Sequence, residues 1–368
     1  MDSSRLIILY IFFFLGMTAF ALLINSILYR FVKTLGTKNQ SGAVVRWSEQ
    51  TKPAIGGLAF FIIFLISIVS YAIVFDPSFI FTNSPILGLF VAGTLGFILG
   101  LTDDAYNTRP LLKLTVQILC GVILSLTGTR IELFEWEVLN NIITVLWVVG
   151  IMNSINMLDN MDGIATSVTA FILVAALGYM IIHSNFAGFN FVIILGILAA
   201  LIGFLYYNWY PSKMYMGDTG SQFLGVVLGY VGIHYCWNAQ DLTGESGILF
   251  SLVALLLVFS LPIIDTATVT INRLRRRQSP FIGGKDHTTH NLSYIGFTDN
   301  QVVGFICGIG ILSVVFYLLF ITFVHATNYF PIFLGISYFL AIFILLFGVT
   351  EYNKRMNKGV HQTKHKAD

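Results

Sequence analysis

Six side chains suited to metal and phosphate chemistry stand where long apolar runs give way to short polar turns. Asp103 and Asp104 follow one run, Asn156, Asp159 and Asp162 follow another, and Asp218 precedes a third. If these turns meet, their five carboxylates raise one another's pKa, and a divalent cation relieves the repulsion. Oxygen donors with neither a thiol nor a histidine pair among them fit Mg2+, with Mn2+ as the alternative, rather than zinc. Asn156, Asp159 and Asp162 are spaced by three, which places them on one face of a continuing helical turn. Gly163 and Gly217 let backbone come close to a ligand. A second set follows the basic run Arg273 to Arg277: Lys285, His287 and His290. His-x-x-His is half of a zinc site, yet no thiol or third histidine stands nearby, so binding of phosphate oxygens is the more economical role. Carboxylates, a hard cation and basic side chains are the equipment of phosphoryl transfer, where positioning and charge neutralisation supply most of the catalysis. A single Asp in such a place serves equally to cap the next helix. Three clusters argue for the chemistry.

The elements that must position these groups are membrane helices. The 368 residues are 56% hydrophobic, 15% aromatic and only 10% charged, with a mean hydropathy of +0.82. Soluble domains carry about 25% charge, so this composition excludes a secreted, cytosolic or disordered protein. The apolar runs are continuous rather than alternating, which excludes a β-barrel. At about 20 apolar residues per crossing, eleven spans are expected: 6–29, 54–75, 84–101, 111–128, 139–156, 164–182, 190–207, 221–237, 247–271, 301–324 and 329–350. The fold class is all-α, a polytopic integral membrane protein with one catalytic domain over 1–350 and a basic, disordered tail over 351–368. The first run is too long for a signal peptide and lacks a small-residue cleavage site, so it reads as a retained helix. Cys120, Cys236 and Cys307 fall in apolar runs without CxxC pairing and read as buried small residues.

Charge sets the expected orientation. The connections 30–53, 102–110, 157–163, 208–220 and 272–300 and the tail fall on one side, and with Lys113 counted to that nearer side they hold eighteen of the twenty Lys and Arg; only Arg5 and Arg130 fall on the other. The positive-inside rule puts the first side in the cytoplasm and the N-terminus outside. All three acidic clusters and the histidine loop then share the cytoplasmic face. The acids of the other connections, such as Asp76, Glu132 and Glu245, show no pattern, and His183, His234 and His325 lie near the outer side.

The ordered motifs resemble the polyprenyl-phosphate N-acetylhexosamine-1-phosphate transferases, over about Lys52 to Leu292. Lys52-Pro-Ala-Ile-Gly-Gly57 is similar to that family's Pro-x-x-Gly-Gly loop, and Asp103-Asp104 with Arg109-Pro110, Lys113 and Gln117 to its Asp-Asp segment. Asn156 to Gly163 resembles its Asn-x-x-Asp-x-x-Asp-Gly motif, and Asn208 to Pro211 followed by Met216 to Ser221 its metal-binding segment. The resemblance implies transfer of a sugar 1-phosphate from a UDP-N-acetylhexosamine to a polyprenyl phosphate such as undecaprenyl phosphate, with release of UMP. It implies that Asp218 ligates Mg2+, with Asp103 or Asp104 assisting or acting as base. Asn156, Asp159 and Asp162 would position nucleotide and metal, Tyr215 would stack on uracil, and Asn208 and Lys52 would contact the nucleotide. Lys113 and Lys285 join them as substrate-binding cations, and His287 and His290 match the outer histidines of a His-x-His-His loop.

Three positions depart from the pattern. Thr289 stands at the usual middle histidine, Asn107 at a third acid of one branch, and Asn160 at a usual glycine. The Asp-Asp and Arg-Pro segment and the eleven spans look most like the UDP-GlcNAc branch, which primes wall teichoic acid, O-antigen or enterobacterial common antigen carriers in a bacterial inner membrane. The peptidoglycan branch, with its muramoyl-pentapeptide donor, is the nearer alternative. A cation-coupled transporter is the distant one, and it calls for mid-bilayer acids and an internal repeat, neither of which the sequence shows. A second copy of the chain is a candidate partner; nothing points to nucleic acid.

Overall fold

The computed structural model describes residues 3–35, 52–75, 82–245, 247–279, 284–324 and 328–364. Most of the expected 30–53 connection, with 76–81, 280–283, His325 and the last four residues, lies outside the described residues. Among the described residues the structure is helical, with one isolated β-bridge between Ala54 and Tyr215 and no strand.

The helices are α1 (Ser3–Leu35), α2 (Gly56–Val74), α3 (Ser84–Tyr106), α4 (Pro110–Leu126), α5 (Glu137–Leu158), α6 (Ile164–Ile182), α7 (Phe189–Asn208), α8 (Gly217–Gly232, continued by a π-turn Ile233–Trp237), α9 (Ile248–Val258), α10 (Ser260–Arg275), α11 (Thr288–Tyr294), α12 (Asp299–Phe323) and α13 (Phe330–Lys364). Each of the eleven predicted spans is helical. By length and apolarity eight helices can cross a membrane, and nine if α9 and α10 count as one span; α4, at 17 residues, falls just short. The chain is a multi-pass membrane protein.

The predicted span 247–271 is not straight: α9 and α10 meet at 85°. Pro262 lacks the N–H that would bond the Val258 carbonyl, and its ring crowds that carbonyl, so the helix breaks just before it. The bend carries Asp265 and α10 towards the site.

At the centre stands α8, whose residues are all buried except Asp218. Small residues bring its neighbours to backbone distance. A Cβ on Gly100 of α3 would lie 2.1 Å from the Asp218 carbonyl oxygen, so only glycine fits there. Gly225 lies against Met152 of α5, and Gly220 against Gly57 of α2. Close helix contact through small residues is how helices pack tightly in lipid, where hydrophobicity alone offers no preference for protein over membrane. Phe60 meets Phe204 edge-on, and Phe61 and Phe64 do the same with Phe223, filling the layer beneath the site.

The segment from 351 is not irregular at its start, because α13 runs on to Lys364. Its first residues are docked: the buried Asn353 donates to the Asn291 backbone carbonyl at 2.8 Å, and Lys354 donates to Asn272 at 2.5 Å and pairs with Glu351 at 2.7 Å. These contacts hold a polar stretch in helix where composition alone points to disorder.

Candidate active site

Helix ends deliver the acidic clusters to one place. Asn107 closes α3 in the left-handed region (φ 51°), a conformation that asparagine tolerates better than most residues, and its N–H bonds the Asp103 carbonyl. The chain turns at Thr108 and re-enters a helix at Pro110, which needs no N–H partner in the first turn. Thr108 donates to Asp103 Oδ1 through both its N–H (2.8 Å) and its hydroxyl (2.7 Å). Lys113, one turn into α4, pairs with Asp103 Oδ2 and reaches Asp218 Oδ2 at 3.5 Å. Asn156 of α5 donates to Asp218 Oδ1 at 2.8 Å and to Ser221 at 2.9 Å. Four elements thus meet on two carboxylates, Asp103 and Asp218.

Asp104 does something different. Its Oδ1 accepts the Asp218 N–H at 2.9 Å, while Oδ2 accepts the N–H (2.8 Å) and hydroxyl (2.6 Å) of Thr219. It caps α8 from across the bundle. Gly217 opens that helix at φ 74°, and a Cβ there would meet Asp104 Oδ2 at 2.6 Å. Both oxygens of Asp104 are therefore committed to fixing the start of α8, whereas Asp103 and Asp218 face a shared Lys113 ammonium.

The expected common face of Asn156, Asp159 and Asp162 does not form, because α5 ends at Leu158 and Asp159 leaves the helical region at ψ 52°. Asn156 turns to Asp218, whereas Asp162 accepts from the Ser212 N–H and hydroxyl, both at 2.8 Å, and sits 3.5 Å from Lys52 Nζ. Lys52 also donates to Ser212 at 3.0 Å and lies 5.2 Å from the centre of the Tyr215 ring. Backbone bonds from Gly56 to Tyr215 and from Gly57 to Met216 lock the first loop onto the turn before α8. Asn208 is buried with its amide committed: Oδ1 accepts from the Gly163 N–H and the Thr166 hydroxyl, and Nδ2 donates to the Met214 carbonyl. It builds the pocket wall.

The histidine segment closes the site through α10. Asp265 accepts from His287 Nδ1 (2.8 Å), the Thr288 N–H (2.8 Å) and the Thr288 hydroxyl (2.7 Å), while Arg273 forms two bonds to Asp286. Thr289 donates to Asn160 at 2.7 Å. Lys285 is exposed at the rim, and His287 and His290 lie with ring centres 5.8 Å apart. Burial, with the neighbouring His287, pushes His290 down to about 4, so it is a neutral hydrogen-bonding group at pH 7 rather than the positive charge the sequence pointed to. Burial raises Asp286, but the Arg273 guanidinium outweighs it and holds this carboxyl below its ordinary range.

Asp218 lies ahead of the apolar part of α8, half-buried. Burial and the adjoining Asp103 carboxylate push it up to about 7, against the pull of Lys113. The donor set fits a magnesium ion: hard oxygens, no thiol, and a charge demand already visible in the way one ammonium reaches both carboxylates. Among the described residues no group of three or more His, Cys, Asp or Glu converges into a closed metal cage.

Sequence reasoning missed Ser212, Thr108, Thr219 and Thr288 as supports of the acids. All four lie inside or beside a motif, but their part as donors to an acid depends on the folded chain.

Residues 86–235, which hold the Asp103, Asn156 and Asp218 turns, match glycosyl transferase family 4. The chain is 29% identical over 269 residues to a Bacillus subtilis protein named probable undecaprenyl-phosphate N-acetylglucosaminyl 1-phosphate transferase, covering 69% of each chain. It is 28% identical over 286 residues to the decaprenyl-phosphate N-acetylglucosaminephosphotransferase of Mycolicibacterium smegmatis, covering 69% of this chain and 68% of that one. It is 35% identical over 207 residues to the phospho-N-acetylmuramoyl-pentapeptide-transferase of Staphylococcus carnosus, covering 49% of this chain and 61% of that one. The acidic turns thus lie inside the segment that is similar to glycosyl transferase family 4.

Proposed function

We propose that the protein transfers N-acetylglucosamine 1-phosphate from UDP-GlcNAc to a polyprenyl phosphate of the undecaprenyl type, forming a polyprenyl-diphosphate sugar and UMP. The reading places the site on the cytoplasmic face of a bacterial inner membrane, as the first step of a cell-envelope polysaccharide. The observation that carries it is the meeting of Asp103, Lys113, Asn156 and Asp218 beside the Lys52, Tyr215 and Asp162 pocket. One subsite suits a metal-bound diphosphate and the other a nucleoside.

Asp103 and Asp218 would hold Mg2+, which when bound neutralises the diphosphate and the charge developing on UMP. Lys113, in contact with both carboxylates, would add positive charge towards the phosphates. Lys52, fixed by Ser212 and Asp162, presents a cation beside the Tyr215 ring, where uracil would stack. An oxygen of the lipid phosphate attacks the phosphorus that carries the sugar. The bond from that phosphorus to the UMP oxygen breaks, and its electron pair leaves with UMP. A phosphate monoester has a second pKa of about 6, so the attacking oxygen is already ionised at neutral pH and needs no protein base. Direct attack leaves the carboxylates for metal binding and positioning. A transporter reading fits poorly, because these acids converge at one end of the bundle rather than along a path through it.

Purified protein in detergent, given undecaprenyl phosphate, Mg2+ and a panel of UDP-sugars, tests the reading by UMP release. UMP from UDP-GlcNAc, lost with EDTA and with Asp218→Asn, supports it. The 35% identity to the Staphylococcus carnosus protein favours the muramoyl-pentapeptide donor as the second reading, and turnover with that donor alone would establish it. No UMP from any donor would sink both.

A further inference from the structure

Thr289 and Asn160 are the two places where the acid turn and the histidine segment depart from the expected motif, and in the folded chain they touch. They lie 129 residues apart, yet the Thr289 hydroxyl donates to Asn160 Oδ1 at 2.7 Å. Asn160 is itself held, since its Nδ2 donates to the Met157 carbonyl at 2.9 Å and so satisfies an open acceptor at the end of α5. That bond orients the amide so that its oxygen faces Thr289. Thr289 is wholly buried. Its β-branched side chain has few rotamers, so its hydroxyl direction is set by the backbone of α11.

The neighbouring contacts give the bond its meaning. His287 and Thr288 are tied to Asp265 on α10, whereas Thr289 is tied to the α5–α6 turn. The segment bearing the histidines therefore hangs between two anchors on different helices. The α5–α6 turn carries Asp159 immediately before Asn160, and Asp162 two residues after it. Neither partner of the tie ionises in the working pH range, so the spacing it sets does not vary with proton uptake or metal binding.

We propose that Asn160 and Thr289 act as one positioning unit, a neutral tie that fixes the histidine segment against the acid turn of the phosphotransfer site. The proposal rests on the function proposed above. It predicts that the two residues matter jointly and that loss of either loosens both segments.

The experiment compares wild type with Thr289→Val, Thr289→Ser, Asn160→Ala and the double variant Asn160→Ala/Thr289→Val, each shown to be monodisperse in detergent. Amide hydrogen exchange is read on peptides covering 157–164 and 286–293, with α3 and α4 as the internal control. Thr289→Val is expected to speed exchange in both peptides about tenfold, the scale of one lost buried hydrogen bond. The control should not move, and Thr289→Ser should behave as wild type. In UMP release, kcat should fall about tenfold for either single variant and no further for the double, with KM for the nucleotide sugar within about twofold, as for two partners of one interaction. Wild-type exchange and turnover in Thr289→Val, or single effects that multiply in the double variant, would overturn the proposal. Silence of the wild type towards every donor would defeat the functional reading instead, while the exchange data would still decide the tie.

Discussion

Asp104, at the last turn of α3, takes both the N–H and the hydroxyl of Thr219 on one carboxylate oxygen, at 2.8 and 2.6 Å. With its other oxygen on the Asp218 N–H, it sets where α8 begins and hence where the Asp218 carboxylate sits. In an Asp-Asp pair, the second acid is thus a support for an acid on another helix. Replacing a helix cap of this kind by Ala removes about 1–2 kcal/mol. Asp104→Ala is therefore expected to lower the unfolding temperature in detergent and to cut turnover, with part of both losses recovered in Asp104→Asn, which keeps one acceptor oxygen. Equal stability of Asp104→Ala and wild type would show that the cap is dispensable.

Asp103 and Asp218 are expected to behave differently from Asp104. Asp218 is half-buried, so Asp218→Asn should leave the unfolding temperature nearly unchanged, whereas Asp103→Asn, which weakens the buried pair with Lys113, should lower it. Each should reduce kcat by roughly a thousandfold, the scale of losing a group that stabilises charge in the transition state. Isothermal titration with Mg2+ in the presence of UMP should show weakened metal uptake in both. A variant that keeps metal affinity and turnover would remove that residue from the proposed ligand set.

The raised pKa of Asp218 gives a pH dependence with a definite sign. A carboxyl pushed up to about 7 holds its proton at lower pH, and the metal must displace that proton. Apparent Mg2+ affinity should therefore be flat above pH 7 and weaken below it, by up to about tenfold per unit for a single competing proton. Saturating Mg2+ should flatten the profile. The Lys113 ammonium holds Asp218 down, so Lys113→Met should move the inflection to higher pH. An inflection that stays put in this variant would mean that the titrating group is not Asp218.

That the acidic turns share one end of the bundle was legible in the sequence, because these acids sit at helix ends, where an ionisable group is otherwise costly in lipid. Asp103, Asn156 and Asp218 meet as their positions imply. What the sequence hid were uses that depend on distant partners. Asp104 caps a helix 114 residues away, and no local pattern announces it. The spacing of Asn156, Asp159 and Asp162 looked helical, but the helix stops at Leu158, and Asn156 turns to Asp218 while Asp162 turns to Ser212. The bend ahead of Pro262 had a visible cause in the proline itself, yet an unbroken apolar run masked it.

Beyond the matched segment, α13 reaches back to the site. Asn353 donates to both the backbone carbonyl (2.8 Å) and the side-chain oxygen (3.1 Å) of Asn291, the residue after His290. Asn353→Ala leaves those two buried acceptors without this donor, a loss of about 1–3 kcal/mol. The expected outcome is a lower unfolding temperature and faster hydrogen exchange over 286–293, with turnover reduced several-fold. Exchange over α3 should be unaffected. Uniform destabilisation of the whole bundle would instead assign Asn353 a general packing role.

The buried pair of Asp265 and His287 carries the last prediction. Asp265 has three donors, one of them His287 Nδ1 at 2.8 Å, and both side chains are almost wholly buried. A carboxylate in that position selects the tautomer with its proton on Nδ1 and leaves Nε2 as the free ring nitrogen. Asp265→Asn keeps the shape but offers an amide that can present N–H as well as oxygen, so the tautomer is no longer held. His287→Gln removes the ring and leaves Asp265 with its two bonds from Thr288. A hydrogen bond to a charged group is worth about 1.5–3 kcal/mol. Each single variant should therefore be damaged in stability as well as turnover, and Asp265→Asn/His287→Gln should be no worse than the more severe of the two. Additive losses would show that histidine and carboxylate act independently, with Asp265 serving only to hold Thr288 and the start of α11.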